Sequence, residues 1–496
     1  MDYTVSGIDI SIVIIFVIVT LFIGWWVSRG VGEFEDFSVA GRTFGPFMLV
    51  ATFSATNFSS WSLVGKPGVV YDAGISVSWI ALNAMACVLA AVIFIPIYRK
   101  LRYNTMSEIF EDRYDGRVRG IISVIWIIAD TLNRYGVTVY AAAVILGILF
   151  GVDITWLVLG IAVIVVIYTY LGGLRSVAIT DSLMFVIMFA GLFLGGFYIF
   201  NELGGWSGVV ESVPSNLTEW VPSAESANGW PWILAMTLLG FPYFITSQFV
   251  MQRGLAAKSV NVARWGLILT AIVAIPVAIL EVLPGLAARS LLSPEVVASL
   301  NPDMVGPAVY VELLPVGLLG IFFAAILSAG ISTADSALLA SSSLFKKVFY
   351  KKWKPKESEK HYLKVSRITT IVLAVIGTSW ALITPLLGGA VDAILNVIAI
   401  TDMPIFVIVC LAIFWRRMKA TAAVISILSG TILGFVVSVM GVGGIQGLAA
   451  TTATSTLVTL LVGIILSYII PTTNKHEEKV NKFLERIGSK ETGEEG

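Results

Sequence analysis

The side chains in this sequence that could do chemistry lie inside long runs of Leu, Ile, Val, Ala and Phe, where a polar group is costly and needs a reason. One such run, Ala325 to Ser336, holds Ser328, Ser332, Thr333, Asp335 and Ser336. Counted from Ala329, residues Ser332, Thr333 and Ser336 follow at spacings of three, four and seven. A helix brings those positions onto one face. Hydroxyl and carbonyl oxygens on one face, with a carboxylate beside them, suit a hard cation such as sodium better than a transition metal. Helix packing explains the serines equally well. It explains a mid-run aspartate poorly.

A second group is Ser54-Ala55-Thr56-Asn57-Phe58-Ser59-Ser60-Trp61-Ser62, with Gly65-Lys66-Pro67-Gly68 directly after it. Hydroxyls bonded back to their own helix would account for the serines. Asn57 and the helix breakers that follow point instead to a discontinuous helix lining a cavity. A matching irregularity, Gly240-Phe241-Pro242-Tyr243-Phe244-Ile245-Thr246-Ser247-Gln248, stands later in the chain. Interrupted helices at corresponding places in two halves of a membrane protein mark a solute site. Asp130 and Arg134, four residues apart, can pair along one helix face. Alternatively, Arg134 can receive a substrate carboxylate in its planar fork. Lys66 is either a second cation in that cavity or snorkels outward to the interface. Asp181 reads as interfacial, and Asp402, just before Pro404, has no assignable role.

Composition fixes the elements that must hold these groups. Of 496 residues, 57% are hydrophobic and 13% charged, with mean hydropathy +0.90. A soluble protein carries about 25% charged residues, so apolar solvent surrounds this chain. The fold class is an all-α polytopic membrane protein. A soluble enzyme, a nucleic-acid binder and a secreted disulfide scaffold are excluded. Cys87 and Cys410 each sit in an apolar run, and His361 and His476 both lie in charged loops, so no histidine metal site is available.

Thirteen apolar segments approach the ~20 residues a helix needs to cross hydrocarbon. They are 9–28, 46–70, 75–98, 118–149, 154–173, 177–201, 230–252, 263–287, 310–345, 365–385, 388–414, 420–441 and 446–470. The first is expected to be a retained span rather than a signal peptide, because no basic leader precedes it and no small-residue cleavage site follows. Basic residues in short loops mark the cytoplasmic side. Alternate loops and the tail hold 29 of the 32 Lys and Arg residues, Arg253 among them, whereas loop 202–229 holds none. This predicts a cell-membrane protein with its amino terminus outside and its carboxyl terminus in the cytoplasm. The expected layout is a first span and cytoplasmic loop (1–45), five spans (46–201), an extracytoplasmic loop (202–229) and five more spans (230–414). Two peripheral spans (415–473) and a polar tail (474–496), a solvated helix or disordered, complete it.

The stretch Tyr168-Thr169-Tyr170-Leu171-Gly172-Gly173-Leu174-Arg175-Ser176-Val177, ending Thr180-Asp181, resembles a signature of the sodium:solute symporter family. Ser332-Thr333-Ala334-Asp335-Ser336 is similar to its second signature, and Phe58 to Tyr71 to its first core helix, although Lys66 is not typical there. The resemblance covers about residues 5 to 470 and implies a five-plus-five inverted-repeat core with discontinuous first and sixth core helices. It implies sodium as coupling ion, held by backbone oxygens of Ala55, Phe58 and Ala329 with the hydroxyls of Ser332 and Thr333. A second sodium site, found in only some members, would use Asp181, Ser332, Asp335 and Ser336, with Asp335 standing where such members have serine. Substrate contacts would come from Asn57, Ser59, Ser62, Ser78, Asn83, Arg134 and Tyr243.

These readings converge on a sodium-coupled symporter importing a small organic solute, with the bilayer, the solute and sodium as partners and no enzymatic activity. Two cations near the cavity favour a carboxylate-bearing solute such as an amino acid, a monocarboxylate or a sialic acid. A sugar or polyol, bonded by Asn57, Ser59, Ser62 and Asn83, is the alternative. A proton-coupled carrier is disfavoured by the oxygen-rich, histidine-free site. A channel is disfavoured by the lack of a filter-like repeat, and a sensor by the lack of a signalling domain.

Overall fold

The computed structural model describes residues 6–29, 34–58, 61–222, 229–300, 304–384, 390–443 and 447–488. Among the described residues the regular elements are helices, and the only β contact is an isolated bridge between Phe44 and Ala257. In chain order the principal ones are α1 (Gly7–Ser28), α2 (Pro46–Asn57), α3 (Lys66–Ala73), α4 (Gly116–Ala129), α5 (Thr138–Phe150), α6 (Ile154–Glu202), α7 (Trp230–Ile245) and α8 (Gln248–Leu255). They continue with α9 (Val260–Leu280), α10 (Leu318–Leu344), α11 (Glu359–Ile383), α12 (Ala390–Phe414), α13 (Ala420–Val439), α14 (Gly447–Ile469) and α15 (Asn474–Gly488).

Nine helices among the described residues are long and apolar enough to cross a membrane, and α7 with α8 makes ten if that bent pair is one span. The other three expected spans are altered by local chemistry. Segment 46–70 is broken after Asn57. Segment 118–149 carries buried charge and a π turn, Asp130–Val137, between α4 and α5. Segment 154–173 runs on into the next within α6, parted from it at Gly173 by a sharp kink (φ 56°, ψ −159°). A Cβ at Gly173 would approach the Phe37 Cα to 2.7 Å, so both the backbone angle and the close approach demand glycine.

Both functional breaks have identifiable causes. α2 starts with Pro46 in its first turn, where the missing amide costs nothing, and stops at Asn57, as Phe58 turns out of helical geometry (φ −81°, ψ 83°). The chain resumes as a π turn, Trp61–Gly65, and then α3. In α7 the internal Pro242 removes an amide donor and crowds the preceding turn. The helix ends three residues later, and α8 leaves at 46°.

α10 is the axis of the bundle. Some 89% of its apolar window is buried, against 28% for α1. A helix apolar nearly all round belongs in the middle of a bundle. The buried Asp9 of α1 accepts bonds from the Gly317 and Gly320 amides at 2.7 and 2.8 Å, tying α1 to the start of α10. A carboxylate there also complements the positive end of the helix. The two broken helices, α2 with α3 and α7 with α8, interrupt the bundle at two widely separated points of the chain. The tail is neither disordered nor simply solvated over 474–488. α15 docks on the chain around Lys100 and Asp112 through buried Val480 and Phe483, an ion pair from Arg486 to Asp112 at 2.5 Å, and a bond from Lys100 to the Ile487 carbonyl at 2.6 Å. Burying two such apolar side chains stabilises the docked tail by about 1.5–3 kcal/mol each.

Candidate functional site

Residues of the two broken helices line a cavity of about 150 Å³. Asn57 and Phe58 line it from the end of α2, Ser62 and Lys66 from the segment beyond the break, and Tyr243 and Phe244 from α7. Asn83, Arg134, Thr138, Glu281 and Thr333 complete its polar wall. Gly240 lets α7 reach Asn83, because a Cβ there would lie 2.6 Å from the Asn83 Cβ. The Tyr243 hydroxyl donates to the Thr56 carbonyl at 2.9 Å. It thereby satisfies one of the carbonyls that a helix end leaves open. Of the expected substrate contacts, Asn57, Ser62, Asn83, Arg134 and Tyr243 come together on this wall. Ser78 is buried but does not line it. Ser59 lies outside the described residues.

The charged groups on the wall are paired. Lys66 does not snorkel: its Nζ sits 2.6 Å from the Glu281 Oε2, and both side chains are buried. Arg134 donates to Asp130 Oδ1 at 2.5 Å, as the i, i+4 spacing predicts, and also to Asp402, 268 residues further on. Its guanidinium lies 4.7 Å from the centre of the Phe249 ring. Asp402 therefore has a role, as the second carboxylate that makes a buried arginine tenable.

Beside the cavity, α10 and the end of α2 supply oxygens suited to a small hard cation. Thr333 Oγ1 is buried on the cavity wall and has no protein partner among the described residues. Ser332 donates its proton to Asp181 Oδ1 at 2.6 Å, which leaves its oxygen lone pairs available. Ala55 and Ala329 are fully buried and Phe58 nearly so. In the last turn of α2 the Ser54 carbonyl accepts from the Phe58 amide at 2.9 Å, the final backbone bond of the helix among the described residues.

The remaining acidic cluster differs from expectation. Asp181 is buried, not interfacial. Its Oδ2 accepts from Thr52 and, at 3.1 Å, from Arg253 Nη2. Arg253 also donates through Nε to Thr52 at 2.7 Å and through Nη2 to Ser336, whose hydroxyl is 2.8 Å from Asp335 Oδ1. Asp181, Ser332, Asp335 and Ser336 thus form one connected cluster, and Arg253 places a fixed cation in it. Arg253 counts towards the cytoplasmic loops in sequence, yet it is fully buried in α8. Glu281 is the other residue that sequence reasoning misses. The rule that singles out Asp335, an acid inside an apolar run, would have found it.

The sodium:solute symporter family model matches residues 37–430. Sodium/glucose cotransporter 4 of Danio rerio is 28% identical over 478 residues, covering 88% of this chain and 72% of that protein. Sodium/myo-inositol cotransporter 2 of Homo sapiens is 27% identical over 467 residues, covering 86% and 69%. The fold is similar to that of a Na+-coupled sialic acid symporter in a substrate-bound outward-open state, with a TM-score of 0.81 over 94% of this chain and 98% of the other, at 21% identity. With its helix breaks, its oxygen-lined α10 and a match over most of its length, the chain belongs to the sodium:solute symporter family.

Proposed function

We propose that this protein couples the entry of sodium to import of a small, uncharged, hydroxyl-bearing solute. The observation that carries the substrate reading is the internal pairing of the cavity's cations. Lys66 is held by Glu281, and Arg134 by Asp130 and Asp402. Two cations and three carboxylates leave this set formally negative, so a carboxylate solute would meet a neutralised arginine and net repulsion. Expectation of such a solute rests on cations that the tertiary structure pairs. Asn57, Ser62, Asn83, Thr138 and Tyr243 supply neutral donors and acceptors instead. Similarity to cotransporters named for glucose and myo-inositol supports the same reading.

In this reading, sodium binds between the end of α2 and α10 through the backbone oxygens of Ala55, Phe58 and Ala329 and the hydroxyls of Ser332 and Thr333. A ligand shifts a conformational equilibrium only by its differential affinity for the two states. An ion bridging two helices that move apart meets that condition. One charge moving down 100 mV supplies ~2.3 kcal/mol, enough for about fifty-fold accumulation. Arg253 holds positive charge in the Asp181 cluster, where a second sodium would sit, which favours one coupling ion per cycle.

Calorimetry on the purified full chain in nanodiscs tests the substrate reading. Myo-inositol and D-glucose are compared with proline, lactate and sialic acid, each in sodium chloride and in choline chloride. Sodium-dependent binding of a neutral polyol is expected. Sodium-dependent binding of a carboxylate solute, with none of either polyol, overturns it.

A further inference from the structure

We infer that the Lys66–Glu281 pair is a specificity-determining element that reads two adjacent hydroxyl groups of the solute. The inference deepens the neutral-solute reading above and rests on it. Lys66 stands at the start of α3, directly beyond the first helix break, and Glu281 at the end of α9. The two come from segments 215 residues apart and meet on the cavity wall, with Nζ 2.6 Å from Oε2. Both are nearly inaccessible, at 2% and 5% exposure.

The pair is complete in charge but incomplete in hydrogen bonds. Glu281 Oε1 is buried and has no hydrogen-bond partner among the described residues. Buried polar atoms are nearly always bonded, and an ionised oxygen is the most expensive to leave bare. On a cavity wall, such an oxygen marks a position that an occupant completes. Lys66 contributes an ammonium with three donors, one of which Glu281 takes. An acceptor and a donor therefore stand side by side. A vicinal diol matches them: one hydroxyl donates to Oε1, and its neighbour accepts from Nζ. A zwitterion fits worse, since its ammonium on Oε1 would lie against the Lys66 ammonium. A purely structural ion pair would need neither the cavity position nor the open oxygen.

The test uses the purified full-length protein in nanodiscs with sodium chloride, titrated with myo-inositol, D-glucose and their monodeoxy analogues. Removing one partner of a buried pair leaves a stranded charge, so the main variant replaces both, Lys66→Met with Glu281→Leu. Its fold is checked by thermal melting. The expected result is a loss of at least about tenfold in affinity for the vicinal-diol solute, the scale of one hydrogen bond to a charged group. Should the double variant fail to fold, the wild type decides. Removing one particular hydroxyl of an adjacent pair should cost at least about tenfold, and removing its neighbour a similar amount. Wild-type affinity in the folded double variant, or equal binding of every monodeoxy analogue, overturns the role of the pair while leaving the neutral-solute reading standing. Binding of proline, lactate or sialic acid in place of every polyol overturns both.

Discussion

Thr333 shows how one atom can be read for function. Its hydroxyl is buried on the wall of the cavity and has no protein partner among the described residues, on the helix α10 that also carries Ser332. If these two oxygens coordinate sodium, Ser332→Ala with Thr333→Ala should raise the sodium concentration for half-maximal uptake by about tenfold, the worth of losing bonds to a charged ligand. Expression should persist, because alanine is the best helix former. Uptake in proteoliposomes over a sodium series checks this, and unchanged sodium dependence in the folded variant removes both hydroxyls from the site. Neighbouring Ser332 also bonds Asp181, and Asp181 bonds Arg253, so the Ser332 hydroxyl and the acidic cluster are parts of one network.

At the scale of elements, function depends on where helices fail. The break after Asn57 gives the Thr56 carbonyl to the Tyr243 hydroxyl, and after Ile245 the Thr246 and Ser247 amides turn back to Pro242. Inside a membrane, interrupted backbone is acceptable where it is buried in protein or lines a cavity. The kink at Gly173 serves another purpose. It turns α6 so that its second half, carrying Asp181, lies against α10. Gly173→Ala should cost about 1–3 kcal/mol for the strained backbone angle alone, and more because the Phe37 backbone lies in the way. A fall in the melting temperature of the purified variant is the expected readout. A variant as stable as wild type would mean that α6 tolerates a straighter path. The π turn Asp130–Val137 follows the same logic, since widened turns recur at functional sites and this one holds Arg134 between two carboxylates.

For the whole molecule, the distribution of Lys and Arg predicts the orientation. Loop 202–229 contains none, whereas 346–367 contains nine. With Cys87 and Cys410 replaced by alanine, Ser215→Cys should react with a membrane-impermeant maleimide applied to intact cells. Ser358→Cys should react only after permeabilisation. Both positions are exposed, so labelling reports the side of the membrane rather than burial. The reverse pattern would invert every statement here about inside and outside, including the direction of import.

The sequence by itself determined the class, the apolar segments, both helix breaks and the oxygen-bearing face of α10. Each is a local property: hydropathy over some twenty residues, proline and glycine chemistry, or spacing along one helix. It also supplied the i, i+4 pair of Asp130 with Arg134, for the same reason. Only the tertiary structure decided which charges meet. Asp402 reaches Arg134 across 268 residues, Glu281 reaches Lys66 across 215, and Asp181 meets Arg253 across 72. No periodicity encodes such pairings, because they depend on which helix faces turn towards one another in three dimensions. That is why Arg253 could be counted as a loop residue and Lys66 as a snorkelling one. In a membrane the difference is decisive, since a buried charge is stable only beside its partner. The partner, more than the charge itself, sets what the cavity can hold.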